Sequence, residues 1–264
     1  MAKQTLRPTI MSDTEHEEGR EEAGQSFISH LVELRERLLK AIAAVLLVLV
    51  ALLPFANQLY HLIAEPLLER LPKGSTMVAI EVASPFLTPV KLAFFVALFL
   101  AMPVVLYQAW GFVAPGLYRH EKRLALPLLA SSVLMFYLGC AFAYFVVLPK
   151  VFGFLLSTTP LGVAMMTDIG KYLDFVLTMF FAFGLCFEVP VGVFIIALMG
   201  WVTPEQLAKH RPYVILGAFV VAAIVAPPDV LSMILLAIPM CLLYEAGLVA
   251  VRIFLRRSTI DVRE

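Results

Sequence analysis

Leu92-Ala93-Phe94-Phe95-Val96-Ala97-Leu98-Phe99-Leu100-Ala101-Met102-Pro103-Val104-Val105-Leu106-Tyr107-Gln108-Ala109-Trp110-Gly111-Phe112-Val113 is a run of 22 residues without a charge. A helix rises about 1.5 Å per residue, so this run reaches across a hydrocarbon layer of about 30 Å. It is apolar on every face, as a lipid-crossing helix is and a soluble surface helix is not. Outward from it, comparable runs lie at Leu38 to Ala56, Leu124 to Leu148, Tyr172 to Met199, Tyr213 to Ala226 and Val230 to Val251. Lipid offers no partner for an unpaired amide, so each run is expected as a helix. The predicted fold is an all-α membrane protein with six transmembrane helices. Composition agrees, with 61% hydrophobic and 15% charged residues and a mean hydropathy of +0.90. The 20 basic and 20 acidic residues cancel, which argues against nucleic-acid binding or polybasic attachment. Cys140, Cys186 and Cys241 all fall in apolar runs, where they are expected as packed thiols rather than a disulfide.

Six crossings place both termini on one side, and the basic residues say which. Fifteen Lys and Arg flank the ends on the side of the termini and five lie on the other. Short loops rich in Lys and Arg stay cytoplasmic, so both termini are expected there. Residues 1–26 read as an acidic, disordered cytoplasmic arm in which Met11 is a candidate native start and 1–10 are either non-native or belong to an alternative start. Its acidic character is the reverse of a cleavable signal's basic start. Residues 27–252 form the membrane domain, and 253–264 a cytoplasmic tail. The exported side holds two long connections, Asn57 to Pro89 and Pro149 to Lys171. Leu59, Leu62, Ile63, Leu67, Leu68 and Leu71 recur at helical spacing in the first, predicting an amphipathic cap helix bent at Pro66. Ser84-Pro85-Phe86-Leu87-Thr88-Pro89 sets the entry into the second span. The fifth run is 14 residues, about 21 Å of helix, short enough to thin the bilayer locally. Pro103, Pro127, Pro190 and Pro239 predict kinks, each freeing a carbonyl that a neighbour must satisfy, and hence a curved wall.

Two polar clusters face the cytoplasm. In Phe27-Ile28-Ser29-His30-Leu31-Val32-Glu33-Leu34-Arg35-Glu36-Arg37-Leu38-Leu39-Lys40, Phe27, Leu31, Leu34 and Leu38 make an apolar stripe, and Glu33 with Arg37 and Glu36 with Lys40 are i,i+4 pairs. From spacing alone these pairs serve helix stability as well as they serve recognition of an external cation. In Pro115-Gly116-Leu117-Tyr118-Arg119-His120-Glu121-Lys122-Arg123 one carboxylate sits among three permanent cations, which favour its ionised form. Positive-inside topology alone accounts for that loop equally well. Inside the spans stand Glu188 and Glu245, where an ionisable group is expensive and marks a function or a partner. Glu245 lies near a cytoplasmic end, within reach of Arg252.

His30-Leu31-Val32-Glu33-Leu34-Arg35-Glu36-Arg37-Leu38-Leu39, Gly111-Phe112-Val113-Ala114-Pro115-Gly116-Leu117-Tyr118-Arg119-His120-Glu121-Lys122-Arg123, Phe187-Glu188-Val189-Pro190, Arg211-Pro212-Tyr213 and Pro227-Pro228-Asp229 together resemble the TatC family. The resemblance runs in order from Ser26 to Arg252. It implies a six-span receptor subunit of the twin-arginine protein translocase in the bacterial inner membrane, without cofactor or metal, and not an enzyme. Implied partners are the signal peptides of folded precursors, the single-span subunits TatA and TatB, further copies of the chain in a multimeric receptor, and the surrounding lipid, with transport driven by the proton-motive force. By similarity, Glu33 and Glu121 receive the signal peptide's paired arginines, helped by Arg35, Phe112 and Pro115. A planar guanidinium fork meets a carboxylate with two donors where lysine offers a point charge, which suits recognition of arginine over lysine. Glu188 and Met233 are implied partner-subunit contacts, and Pro66, Phe86 and Asp229 shape the exported face. Ala226 and Met233 depart from the family, since some relatives carry a hydroxyl or a longer polar side chain there.

The competing reading is a proton-coupled secondary transporter using Glu188 and Glu245. Such transporters are built from repeats, and neither half of this chain resembles the other. An intramembrane enzyme lacks support: there is no HExxH, no GxSxG and no Cys/His ligand set, and His16, His30, His61, His120 and His210 are scattered.

Overall fold

The structure is a computed structural model that describes the backbone of residues 11–68, 78–113, 125–158, 166–225 and 230–261. Its elements run α1 (Met11–Leu52), a 3-10 turn (Leu53–Phe55), α2 (Ala56–Leu68), α3 (Ser84–Val113), α4 (Ala125–Phe142), a π turn (Ala143–Val147), α5 (Leu148–Ser157), α6 (Ile169–Phe187), α7 (Val189–Leu198), α8 (Pro204–Lys209), α9 (Arg211–Val225) and α10 (Val230–Asp261). Among the described residues the β pairing is a single bridge between Val78 and Asp168. Five helical segments are long and apolar enough to cross a membrane: Leu31–Ile63, Ser84–Phe112, Leu126–Leu155, Ile169–Leu198 and Met233–Ile253. The remaining expected crossing is α9, apolar but only 15 residues long.

Several boundaries differ from the sequence expectations, and the second span begins at Ser84 rather than Leu92. Residues 11–26, expected as disordered, are the first turns of α1. Glu, frequent there, is a strong helix former that extends a helix already nucleated by the span. The third span does not stop at Leu148 but continues through the π turn and α5 to Leu155. Pro149 cannot donate to the carbonyl four residues back and its ring crowds it, and the wider π turn just before relieves that clash. The last helix likewise carries past Val251 to Asp261.

The prolines divide by what surrounds them. Pro103 lies inside α3 and takes the helical donor from the Phe99 carbonyl. Tyr137 of α4 donates its hydroxyl to that carbonyl at 2.9 Å. Pro190 ends α6 instead: the helix breaks at Glu188 and restarts as α7 at Val189. Pro239 lies inside α10. Pro127, expected to kink a span, falls in the first turn of α4 as described, where a missing N–H has no carbonyl to serve.

Helices in lipid gain little from hiding apolar surface from one another and pack through close backbone approach. The widest helix contact is between α1 and α3. There Ala93, Ala97 and Ala101 of α3 repeat every four residues at 2% exposure or less, and Ala41 and Val45 of α1 are buried at the same spacing. The stripe of Leu31, Leu34 and Leu38 points outward, each more than 40% exposed. Where α4 crosses α6, a Cβ on Gly139 would lie 2.4 Å from the Phe183 carbonyl oxygen, and one on Gly184 would lie 2.6 Å from the Phe136 ring. Only glycine admits that approach.

At the end of the bundle opposite Glu33, α2 lays Leu59, Tyr60 and Ile63 over Leu92, Leu173 and Leu177. The amphipathic helix expected in that connection is therefore present, and it runs through Pro66 to Leu68. Tyr172 donates its hydroxyl to the Ile63 carbonyl at 3.3 Å. The two long connections are joined by Asp168. Its Oδ1 accepts the Gly170 and Lys171 amides at 2.8 and 2.9 Å, capping α6, while its Oδ2 accepts the Ile80 amide at 3.0 Å. Backbone pairs Val78 to Thr167 and Ile169 to Val78 complete the joint at 3.0 and 2.9 Å. Lys91 of α3 and Asp174 of α6 pair beside it.

Candidate functional site

The inward face of α1 changes character at its cytoplasmic half, where apolar Val45 and Ala41 give way to Arg37 and Glu33. Both charged side chains are half-buried, at 26% and 36% exposure. Arg37 donates from Nε at 3.0 Å and from Nη2 at 2.7 Å, both to Glu33 Oε1. The guanidinium also lies against α3: a Cβ on Gly111 would stand 2.0 Å from Nη1 and 2.7 Å from Cζ. Gly111 is thus the seat that lets a planar cation sit between the two helices. Half-buried Phe112 follows it. The second sequence pair differs: Glu36 and Lys40 are 3.8 Å apart and more than 60% exposed.

Arg35 is not part of this cluster. Two residues from Glu33, it lies about 200° around the helix and is exposed. Pro115 and Glu121 lie outside the described residues, as does Asp229. Phe86 is exposed at the first turn of α3, and Pro66 is in the last turn of α2.

A second polar cluster surrounds Glu188. Trp110 of α3 donates its indole N–H to Ser132 Oγ of α4 at 3.2 Å. Ser132, itself 2% exposed, meets the Glu188 carboxyl at the α6–α7 break. Glu188 Oε1 is enclosed and has no hydrogen-bond partner among the described residues. A buried carboxyl oxygen in that condition is an open acceptor, or a donor when protonated, for a polar group brought from outside the chain. Met233 packs in the adjoining cluster with Phe187, Leu236 and Ala237. Glu245 is engaged with Arg211 at the start of α9, 2.6 Å from Nε and 2.7 Å from Nη2, rather than with Arg252. The described residues hold no cluster of three or more His, Cys, Asp and Glu able to bind a metal ion.

Sequence reading missed Trp110, Gly111 and Ser132. The available signals were an indole N–H inside a span, which needs an acceptor, and a glycine one residue beyond it. Their partners come from other helices, which one chain's spacing does not show.

A family model described as TatC, Sec-independent protein translocase protein, matches residues 29–239. The chain belongs to the TatC family. Among TatC proteins, that of Azotobacter chroococcum is 62% identical over 220 residues, covering 83% of this chain and 86% of that protein. The TatC protein of Escherichia coli is 55% identical over 234 residues, covering 89% and 91%. A solved structure described as the twin-arginine translocase receptor TatC superposes with a TM-score of 0.77 at 40% identity, covering 85% of this chain and 98% of that one. Membership of the TatC family and the apolar helices make this a multi-pass membrane protein, and the named TatC relatives are protein translocase components.

Proposed function

We propose that this chain is the signal-peptide receptor and core subunit of a twin-arginine translocase, embedded in a bacterial inner membrane with both termini in the cytoplasm. Glu33 and Glu121 accept the paired arginines of a folded precursor's signal peptide, with Phe112 and Pro115 shaping the apolar wall beside them and Arg35 on the outer face of the same helix. Glu188, with Met233 nearby, receives the single-span subunits TatA and TatB, and the proton-motive force drives transport; further copies of the chain assemble around the same task.

The observation that carries this reading is the Glu33 carboxylate at the α1–α3 contact, already accepting a guanidinium through two N–H donors. Charge-assisted contacts of this kind contribute about 1.5–3 kcal/mol. Glu33→Gln and Glu121→Gln should therefore each weaken crosslinking of a twin-arginine peptide in membranes by roughly 10- to 100-fold. The parent should bind a Lys-Lys peptide more weakly than the Arg-Arg peptide. Undiminished crosslinking to both variants would remove the assignment. For Glu188, co-purification of single-span partners should fall in Glu188→Ala.

A further inference from the structure

We infer that Arg37 is a resident occupant of the Glu33 site, a guanidinium of the chain's own that an incoming arginine has to displace. The inference rests on Glu33 being an arginine-binding carboxylate.

Three features set Arg37 apart from a helix-stabilising partner. Its Nε and Nη2 converge on one carboxylate oxygen, the contact that a peptide arginine would make. The far side of its guanidinium rests on Gly111, so the occupied position belongs to the interface of α1 with α3 and not to the open surface of α1. The Glu36–Lys40 pair on the same helix is the internal comparison. It is longer, exposed and ammonium-based, and it has no such seat. A pair screened by solvent contributes little, whereas a half-buried fork with a fitted backing competes with an external ligand.

Competition of this kind has a quantitative signature. A site closed by its own chain binds any ligand more weakly by the fraction of time it is open, and that factor is the same for every ligand using the site. Arg37 then sets the threshold for binding and leaves the choice of arginine over lysine to the chemistry of the two cations. Removing it raises affinity for an Arg-Arg peptide and for a Lys-Lys peptide by one common factor.

The test is titration of fluorescent Arg-Arg and Lys-Lys peptides onto membranes holding the full chain with its partner subunits. Arg37→Gln should tighten both by about three- to tenfold with their ratio unchanged. Arg37→Lys, which loses the planar fork seated on Gly111 without filling that seat, should act in the same direction more weakly; should Arg37→Gln fail to insert, this variant alone decides. A common gain supports the inference. No gain, a loss in the inserted variants, or a gain confined to one peptide overturns it. Glu33→Gln separates the two levels. If it binds like the parent, the Glu33 reading fails; if it loses binding while the other two variants gain nothing, only the resident occupant is refuted.

Discussion

Tyr137 and Pro103 show how far a single residue can be read. A proline inside a lipid-facing helix announces that the carbonyl four residues earlier, Phe99, has lost its donor, and this was legible in the sequence. Which group would replace that donor was not, because Tyr137 stands 38 residues away on another helix. Tyr137→Phe should leave the Phe99 carbonyl unpaired where water does not reach and destabilise the chain by about 1–3 kcal/mol. The check is the thermal unfolding midpoint in detergent: it should drop, and Pro103→Ala in the same background should recover part of the loss by restoring the backbone donor. An unchanged midpoint in Tyr137→Phe would mean that the hydroxyl does not serve this carbonyl. The candidate site divides in the same way. The i,i+4 relation of Glu33 and Arg37 was readable, but the Gly111 seat was not, and neither was the turning of Arg35 to the opposite face.

At the scale of elements, the joint between the two long connections depends on one carboxylate. Hydrogen bonds from the Lys171 amide first, then from Ile80 and Gly170, acting against desolvation, hold the Asp168 carboxyl below the usual carboxylate range. A depressed folded value means that the ionised side chain stabilises the joint at every pH above the unfolded value. That contribution fades as pH falls through the lower, folded one. Protection of the Ile80, Gly170 and Lys171 amides against hydrogen exchange should accordingly be full at neutral pH and fall in strong acid. In Asp168→Asn, with only one acceptor oxygen, protection should be lower at neutral pH and insensitive to acid across this range. Equal protection in the two proteins would contradict the account. Spacing along the chain did not show this joint, because its second half arrives from Val78 and Ile80, two complete spans earlier in the sequence. The helix extents erred for a related reason: the apolar ruler detects where lipid begins, whereas a helix continues beyond lipid wherever its residues allow.

For the whole molecule, the six-crossing reading depends on α9, the short member. Reporters of sidedness fused before the first residue and after the last should read the same compartment, and opposite readings would exclude α9 as a crossing. The crossings also differ in how much they depend on one another. Only 6% of the most apolar window of the first long segment is buried by other parts of the chain, against 44% for the segment formed by α6 and α7. Over the first four long segments this share rises in the order of synthesis, through 28% and 33%, before returning to 33% in the last. The segment that leaves the ribosome first needs little beyond lipid, and the one that needs the most protein around it, Glu188 included, emerges after three others are available to receive it. A chain truncated after its first crossing would thus hold a membrane-competent helix, whereas the fourth crossing made alone would present its enclosed face, and its acid, to the bilayer.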